Sequence, residues 1–249
     1  MDIKDLIKHV DLLKIKSILC IQPHPDDNEI GMGGTIKVLS NLGCNVSYCT
    51  VSKGKGGSND LSSQELIEIR QIELKEAGKS LGVRTFYQLD LNDAHYPDEK
   101  EITSQLVTVI REVKPELVFT CDPYLMYEAH PTHRKTGMAV LEACLFSSMK
   151  HFPEPDAINP PEIHKVQAIG FYATAHPNTY IDITATFDDK LNAIFKHKSQ
   201  FNEKDAQMIK MYLDLQSLNN GKIKGTERAE CFKIMPMILT HMMIESETF

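Results

Sequence analysis

A chain of 249 residues is long enough to bury most of its apolar surface in one large domain. Its net charge of −7 and pI near 5.8 leave no basic field to hold nucleic acid or an anionic membrane. No apolar run approaches the roughly 18 residues of a bilayer span, the start of the chain lacks an apolar signal core, and the six cysteines show no C-x-x-C pair. The expectation is a soluble, reduced, cytoplasmic protein with no membrane partner.

Residues 3–14 place Ile3, Leu6, Ile7, Val10 and Leu13 at helical spacing. Residues 17–21 form a short apolar run, the pattern of a strand buried on both faces. A polar loop follows, then a helix over 35–42 closed by Gly43. Residues 46–51 read as a second strand, and 53–60 as a glycine- and lysine-rich loop without apolar content, a mobile, surface or site-bordering segment. The pattern continues with a long amphipathic helix over 63–81, a strand over 85–89, a helix over 101–113, a strand over 117–121 and a helix over 134–148. Strands alternating with helices of this length predict right-handed βαβ crossovers, hence an α/β sandwich with a mostly parallel sheet. After a proline-rich stretch over 151–163, strands are expected over 166–172 and 180–183, and helices over 187–201 and 206–218. The whole chain, 1–249, reads as a single domain, with about 151–249 packed on the core as cover and contact region.

The chemistry concentrates at two strand ends. The first strand runs into Pro23-His24-Pro25-Asp26-Asp27-Asn28-Glu29, and the fourth leads to Glu128-Ala129-His130-Pro131-Thr132-His133. Ligands of open α/β sheets bind beyond the carboxyl ends of the strands, and strands one and four are neighbours in doubly wound sheets. Both loops would then meet at one crevice. His24, Asp27 and His133 form a two-histidine, one-carboxylate set suited to zinc with a position open to water, though other first-row ions accept such ligands. Asp26 is left over as a general base, and His130 could donate to a developing oxyanion. The combination fits metal-assisted hydrolysis of an amide. The glycines Gly31, Gly33 and Gly34 do not make a dinucleotide fingerprint, because the acidic loop intervenes and Ile36 takes the third glycine's place.

His24-Pro25-Asp26-Asp27-x-Glu29 with Gly31-x-Gly33-Gly34-Thr35, and His130-Pro131-x-His133-Arg134-x-x-Gly137 downstream, resembles the LmbE-like, PIG-L-type zinc N-deacetylases. The runs Tyr127–Pro131, Ile169–Tyr172, Tyr180–Thr184 and His197–Phe201 extend the likeness to the diacetylchitobiose deacetylases within that family. The resemblance implies a three-layer Rossmann-like sandwich and removal of acetyl groups from N-acetylglucosamine saccharides. It assigns the metal to His24, Asp27 and His133, the base to Asp26 and oxyanion stabilisation to His130. It further implies substrate binding at Asp93, Arg70 and His241, the last by helping to close the site across a subunit contact, and a homo-oligomer, a hexamer in the relatives.

Thr132 departs from the pattern, since relatives usually carry Asp there. A hydroxyl brings no charge to His130, so His130 is expected to protonate less readily than in Asp-bearing relatives. Alternatives stay open at several positions. Asp93 could be a turn residue, Arg70 a solvated face, His241 a core or interface histidine. Glu29 is expected to hydrogen-bond backbone near the metal loop. Two other functions compete: deacetylation of a glucosaminyl conjugate in thiol biosynthesis, and a non-catalytic sugar- or metal-binding module.

Overall fold

The computed structural model describes residues 7, 9–89, 91, 98–153 and 162–249, apart from the side chain of residue 203. In strand β1 (Ser17–Gln22), Ile18, Leu19, Cys20 and Ile21 are all fully buried. Such a strand has no wet face, so the sheet must be covered on both sides. Alternation sends Ile18 and Cys20 into one hydrophobic core and Leu19 and Ile21 into the other.

β1 pairs in parallel with β2 (Asn45–Thr50) on one side and β4 (Leu117–Cys121) on the other. β3 (Thr85–Gln88) lies beyond β2, and β5 (Ala168–Tyr172) continues the parallel sheet past β4. β7 (Ala229–Pro236) then runs antiparallel to both β5 and β6 (Thr179–Asp182). The strand order is β3-β2-β1-β4-β5-β7-β6. Helices α1 (Asp27–Asn41), α2 (Ser63–Leu81) and α5 (Phe187–Ile194) pack together, and their buried side chains share the first core. α3 (Glu99–Val113) and α4 (Pro131–Phe146) pack together over the second core. α6 (Glu203–Lys224) lies against β7 and β6. This is the mostly parallel α/β sandwich that the strand–helix alternation predicts, in the three layers that the family resemblance implies.

Local signals explain most boundaries. α2 begins with a capping box, Ser62 and Glu65 bonding each other's backbone N–H, and ends at Gly82 in the left-handed region (φ 95°). Three places differ from expectation. α1 starts at Asp27 rather than at Thr35, so the glycines lie inside it. A Cβ on Gly31 would meet the Tyr172 ring at 2.4 Å, and one on Gly34 would meet Ile183 at 2.8 Å. These close approaches, not a helix break, require glycine. The helix is interrupted at Met32 (φ −152°) and restarts where Gly34 and Thr35 donate their N–H groups to Glu230 (3.1 and 2.7 Å). Second, the helix expected over 187–201 stops at Ile194, leaving His197 to Phe201 in turns. Third, the last 80 or so residues do more than cover the core: they add β5, β6 and the unanticipated β7 to the sheet. Of the segment expected as a helix over 3–14, residues 3–6 and 8 lie outside the described residues, and among the rest only Leu12–Lys14 is helical, as a short 3-10 turn.

Candidate active site

Because β1 and β4 are paired neighbours, the loops leaving their carboxyl ends meet. Prolines on either side of His24 take the chain out of the strand, and Asp27 enters α1 at once. From the other loop, His130 caps α4 and His133 sits in its first turn.

Three ligand atoms converge there. His24 Nδ1 lies 3.2 Å from His133 Nε2 and 3.4 Å from Asp27 Oδ2, and His133 Nε2 lies 3.5 Å from the same oxygen. Ligands bound tetrahedrally at about 2.1 Å stand about 3.4 Å apart, so the triangle fits a small divalent ion such as zinc. The ring nitrogens of His24, His130 and His133 also come within 4.8 Å of one another. His130 is nevertheless the poorer third ligand, since its Nδ1 accepts the Thr132 N–H (3.3 Å) while Asp27 closes a tighter triangle. Glu128 completes the frame: its Oε2 faces His133 Nδ1 at 3.2 Å and its Oε1 accepts the His130 N–H at 2.7 Å. A carboxylate behind a metal-facing histidine fixes the ring's orientation and tautomer.

The adjacent carboxylates diverge electrostatically. Burial, aided by the charge of Asp27, pushes Asp26 up to about 7, against the opposing pull of Arg70, His197 and His24. For Asp27 burial acts upward too, but the hydrogen bond from His24 and the charges of His133 and His24 outweigh it and lower the pKa. Asp26 is also the one backbone outlier of the loop, a non-glycine residue at φ 122°, and strain of this kind is characteristic of functional sites. His130 is lowered from the usual histidine value, first by burial and then by the charges of His24 and His133.

Arg70 belongs to this site rather than to a solvated face. It is 3% exposed, and its Nη2 donates to the Pro25 carbonyl (2.6 Å) and Asp26 Oδ2 (3.2 Å), while Nη1 donates to the Gly54 carbonyl (3.1 Å). Thr132 is buried beside His130. Glu29 does not bond the loop backbone as expected. It is fully buried, without a hydrogen-bond partner among the described residues, and stands 3.6 Å from His197 Nε2. The cause is the early start of α1, which turns Glu29 into the core. Asp93 lies outside the described residues. His241 is exposed, after the 3-10 turn Met237–Thr240 and among exposed Ile238, Met242 and Ile244, and it does not line the cavity.

A cavity of about 520 Å³ opens over the cluster, lined by His24, Asp26, Arg70, His130 and Thr132 together with Ser52, Gly54, Gly57 and Gln200. Of these, Ser52 and Gln200, and also Glu128, are not singled out by the sequence pattern, whereas Gly54 and Gly57 belong to the 53–60 loop. For Glu128 a signal existed, an acid just ahead of two histidines; for Gln200 there was only its place in the His197–Phe201 run.

With this geometry established, comparison with known proteins is specific. The PIG-L family, described as GlcNAc-PI de-N-acetylase, matches residues 19–144. The chain is 39% identical over 230 residues to the diacetylchitobiose deacetylase of Thermococcus kodakarensis, covering 92% of this chain and 86% of that one. It is 31% identical over 195 residues to a probable N-acetyl-alpha-D-glucosaminyl L-malate deacetylase of Bacillus cereus, covering 74% and 84%. Among solved structures, the N,N'-diacetylchitobiose deacetylase of Pyrococcus horikoshii, in complex with its inhibitor, superposes with a TM-score of 0.87 at 36% identity, over 95% of this chain and 90% of that one. On the family match and on the identity and coverage of these relatives, the chain belongs to the PIG-L family of N-deacetylases.

Proposed function

We propose that this cavity hydrolyses the N-acetyl group of N-acetylglucosamine-containing saccharides, N,N'-diacetylchitobiose foremost, and releases acetate with zinc as the resident ion. The observation that carries the reading is the Asp26–Asp27 pair: neighbouring carboxylates driven in opposite directions beside a triangle of ligand atoms. Titratable neighbours pushed apart in this way mark a division between ligand and base.

His24, Asp27 and His133 would hold the ion, which when bound supplies Lewis-acid polarisation of the acetamide carbonyl and acidifies water. Asp26, poised near neutrality, takes a proton from the water that attacks the carbonyl carbon. The Arg70 guanidinium fixes the direction of that carboxylate. His130, whose Nδ1 is an acceptor, keeps its proton on Nε2 and donates it in a hydrogen bond to the oxygen gaining negative charge. The C–N bond then breaks, the amine leaves with the proton held by Asp26, and acetate remains.

Coverage favours the chitobiose class over the glucosaminyl-malate class, 92% against 74% of the chain, but the second substrate class stays a defined alternative. Complete retention of ligands and base speaks against a non-catalytic module. The test is metal analysis coupled to acetate release from N-acetylglucosamine, diacetylchitobiose and N-acetylglucosaminyl malate. Asp26→Asn, which keeps the shape and tolerates the positive φ, is expected to retain the ion and lose about 10³-fold in kcat. Metal-loaded protein that releases no acetate from any of the three would end the deacetylase reading, and a loss of only a few-fold in Asp26→Asn would remove Asp26 as base.

A further inference from the structure

Gln200 stands in the wall of the cavity, yet neither the ion nor the proton transfers need it. It sits half-buried in the segment between α5 and α6. One end of its carboxamide is held: Nε2 donates to Ser199 Oγ at 3.1 Å. Ser199 is itself fixed to α2, its N–H and Oγ donating to the two carboxylate oxygens of Glu73 at 2.8 and 2.6 Å. A side chain anchored this way presents its second N–H and its Oε1 in a set direction, so little rotamer entropy is left to lose on binding.

The facing wall is glycine for a reason. A Cβ on Gly57 would stand 2.7 Å from Gln200 Oε1 and 2.8 Å from Arg70 Nη1, so a side chain there would displace the ends of both groups. Gln200 therefore stands one residue's width from the guanidinium whose other nitrogen holds Asp26. Anything bound with its amide at the His24–Asp27–His133 triangle extends into a chamber in which Gln200 is a preset polar group.

We propose that Gln200 is a specificity-determining residue, whose Oε1 and free amide N–H hydrogen-bond a ring hydroxyl of the sugar unit that carries the scissile acetamide. The proposal rests on the deacetylase reading of the same site. A carboxamide sets a donor beside an acceptor, and a sugar hydroxyl is both, so the pairing is matched. A cavity built to bond a hydroxyl also rejects the analogue lacking it, because the protein's polar group is left unpaired.

The experiment measures acetate release by the zinc-loaded protein from N-acetylglucosamine and its 3-, 4- and 6-deoxy forms. Wild type is expected to show a KM raised about tenfold for one of the deoxy sugars. Gln200→Met, similar in length and unable to make the bond, is expected to raise KM for the parent sugar by a similar factor. It should add no further loss on that one deoxy sugar, since the two changes remove the same interaction. The loss falls in KM rather than kcat, with metal content and Tm held, which a merely structural role would not produce. Wild type indifferent to every deoxy sugar overturns the proposal, as does Gln200→Met with wild-type KM. Should Gln200→Met fail to fold, the deoxy series on wild type decides alone. Wild type inert on all N-acetyl sugars is a different result, and it removes the deacetylase reading along with this one.

Discussion

His130 caps α4 with its own ring: the Nδ1 lone pair accepts the Thr132 N–H, which leaves Nε2 as the donor facing the cavity. Burial and the neighbouring histidines hold its pKa below the usual value, while Asp27 and Glu128 pull the other way. Thr132, buried beside it, contributes no charge to that contest. An aspartate in its place adds a negative charge next to an imidazole whose protonated form is disfavoured, so the sign is fixed: the His130 pKa rises. If protonated His130 assists departure of the amine, Thr132→Asp moves the alkaline limb of the pH–rate profile to higher pH, by about one unit. The profile of kcat/KM against pH reads this directly. An unmoved alkaline limb would mean that His130 acts only as a neutral donor.

At the scale of elements, α1 is held by a contact that no local pattern announces. Its second half restarts on Glu230, 196 positions away from Gly34, and Lys190 Nζ closes the cluster at 2.6 Å, both side chains being almost wholly buried. Removing one partner of a buried pair strands the other charge, so Lys190→Met is expected to cost about 3–5 kcal/mol in urea unfolding. Lys190→Met combined with Glu230→Gln should recover part of it. A single-variant cost below about 1 kcal/mol would show that Glu230 is satisfied by the α1 backbone alone. The same cluster explains where reading the sequence stopped. β1, β4 and the two histidine loops were legible because apolar runs end there in residues useless to a core. The start of α1 was not, because glycines that look like a helix break serve close packing on Tyr172 and Ile183. β7 was not anticipated, and its Glu230 and Lys233 interrupt the apolar pattern although in the fold both are buried. Gln200 was invisible for a related reason: its neighbours Glu73 and Gly57 are remote in sequence.

At the scale of the molecule, the proposed ion joins elements that the chain brings together only by folding. His24 and Asp27 come from the end of β1, His133 from α4 after β4, and the three are neighbours only once the two strands have paired. Without the ion, two adjacent carboxylates share one buried site, and burial first, then the charge of Asp27, raises the Asp26 pKa. The unfolded chain offers no such preformed triangle, so binding free energy adds to folding free energy. A free ion at about 100 times its Kd stabilises by about 2.7 kcal/mol. For a chain near 250 residues that corresponds to a rise in Tm of roughly 5–11 °C. Melting curves of chelator-treated protein with and without added zinc should show this increment, and Asp27→Asn should abolish most of it. Identical melts with and without zinc in the wild-type protein would exclude a resident ion at this triangle.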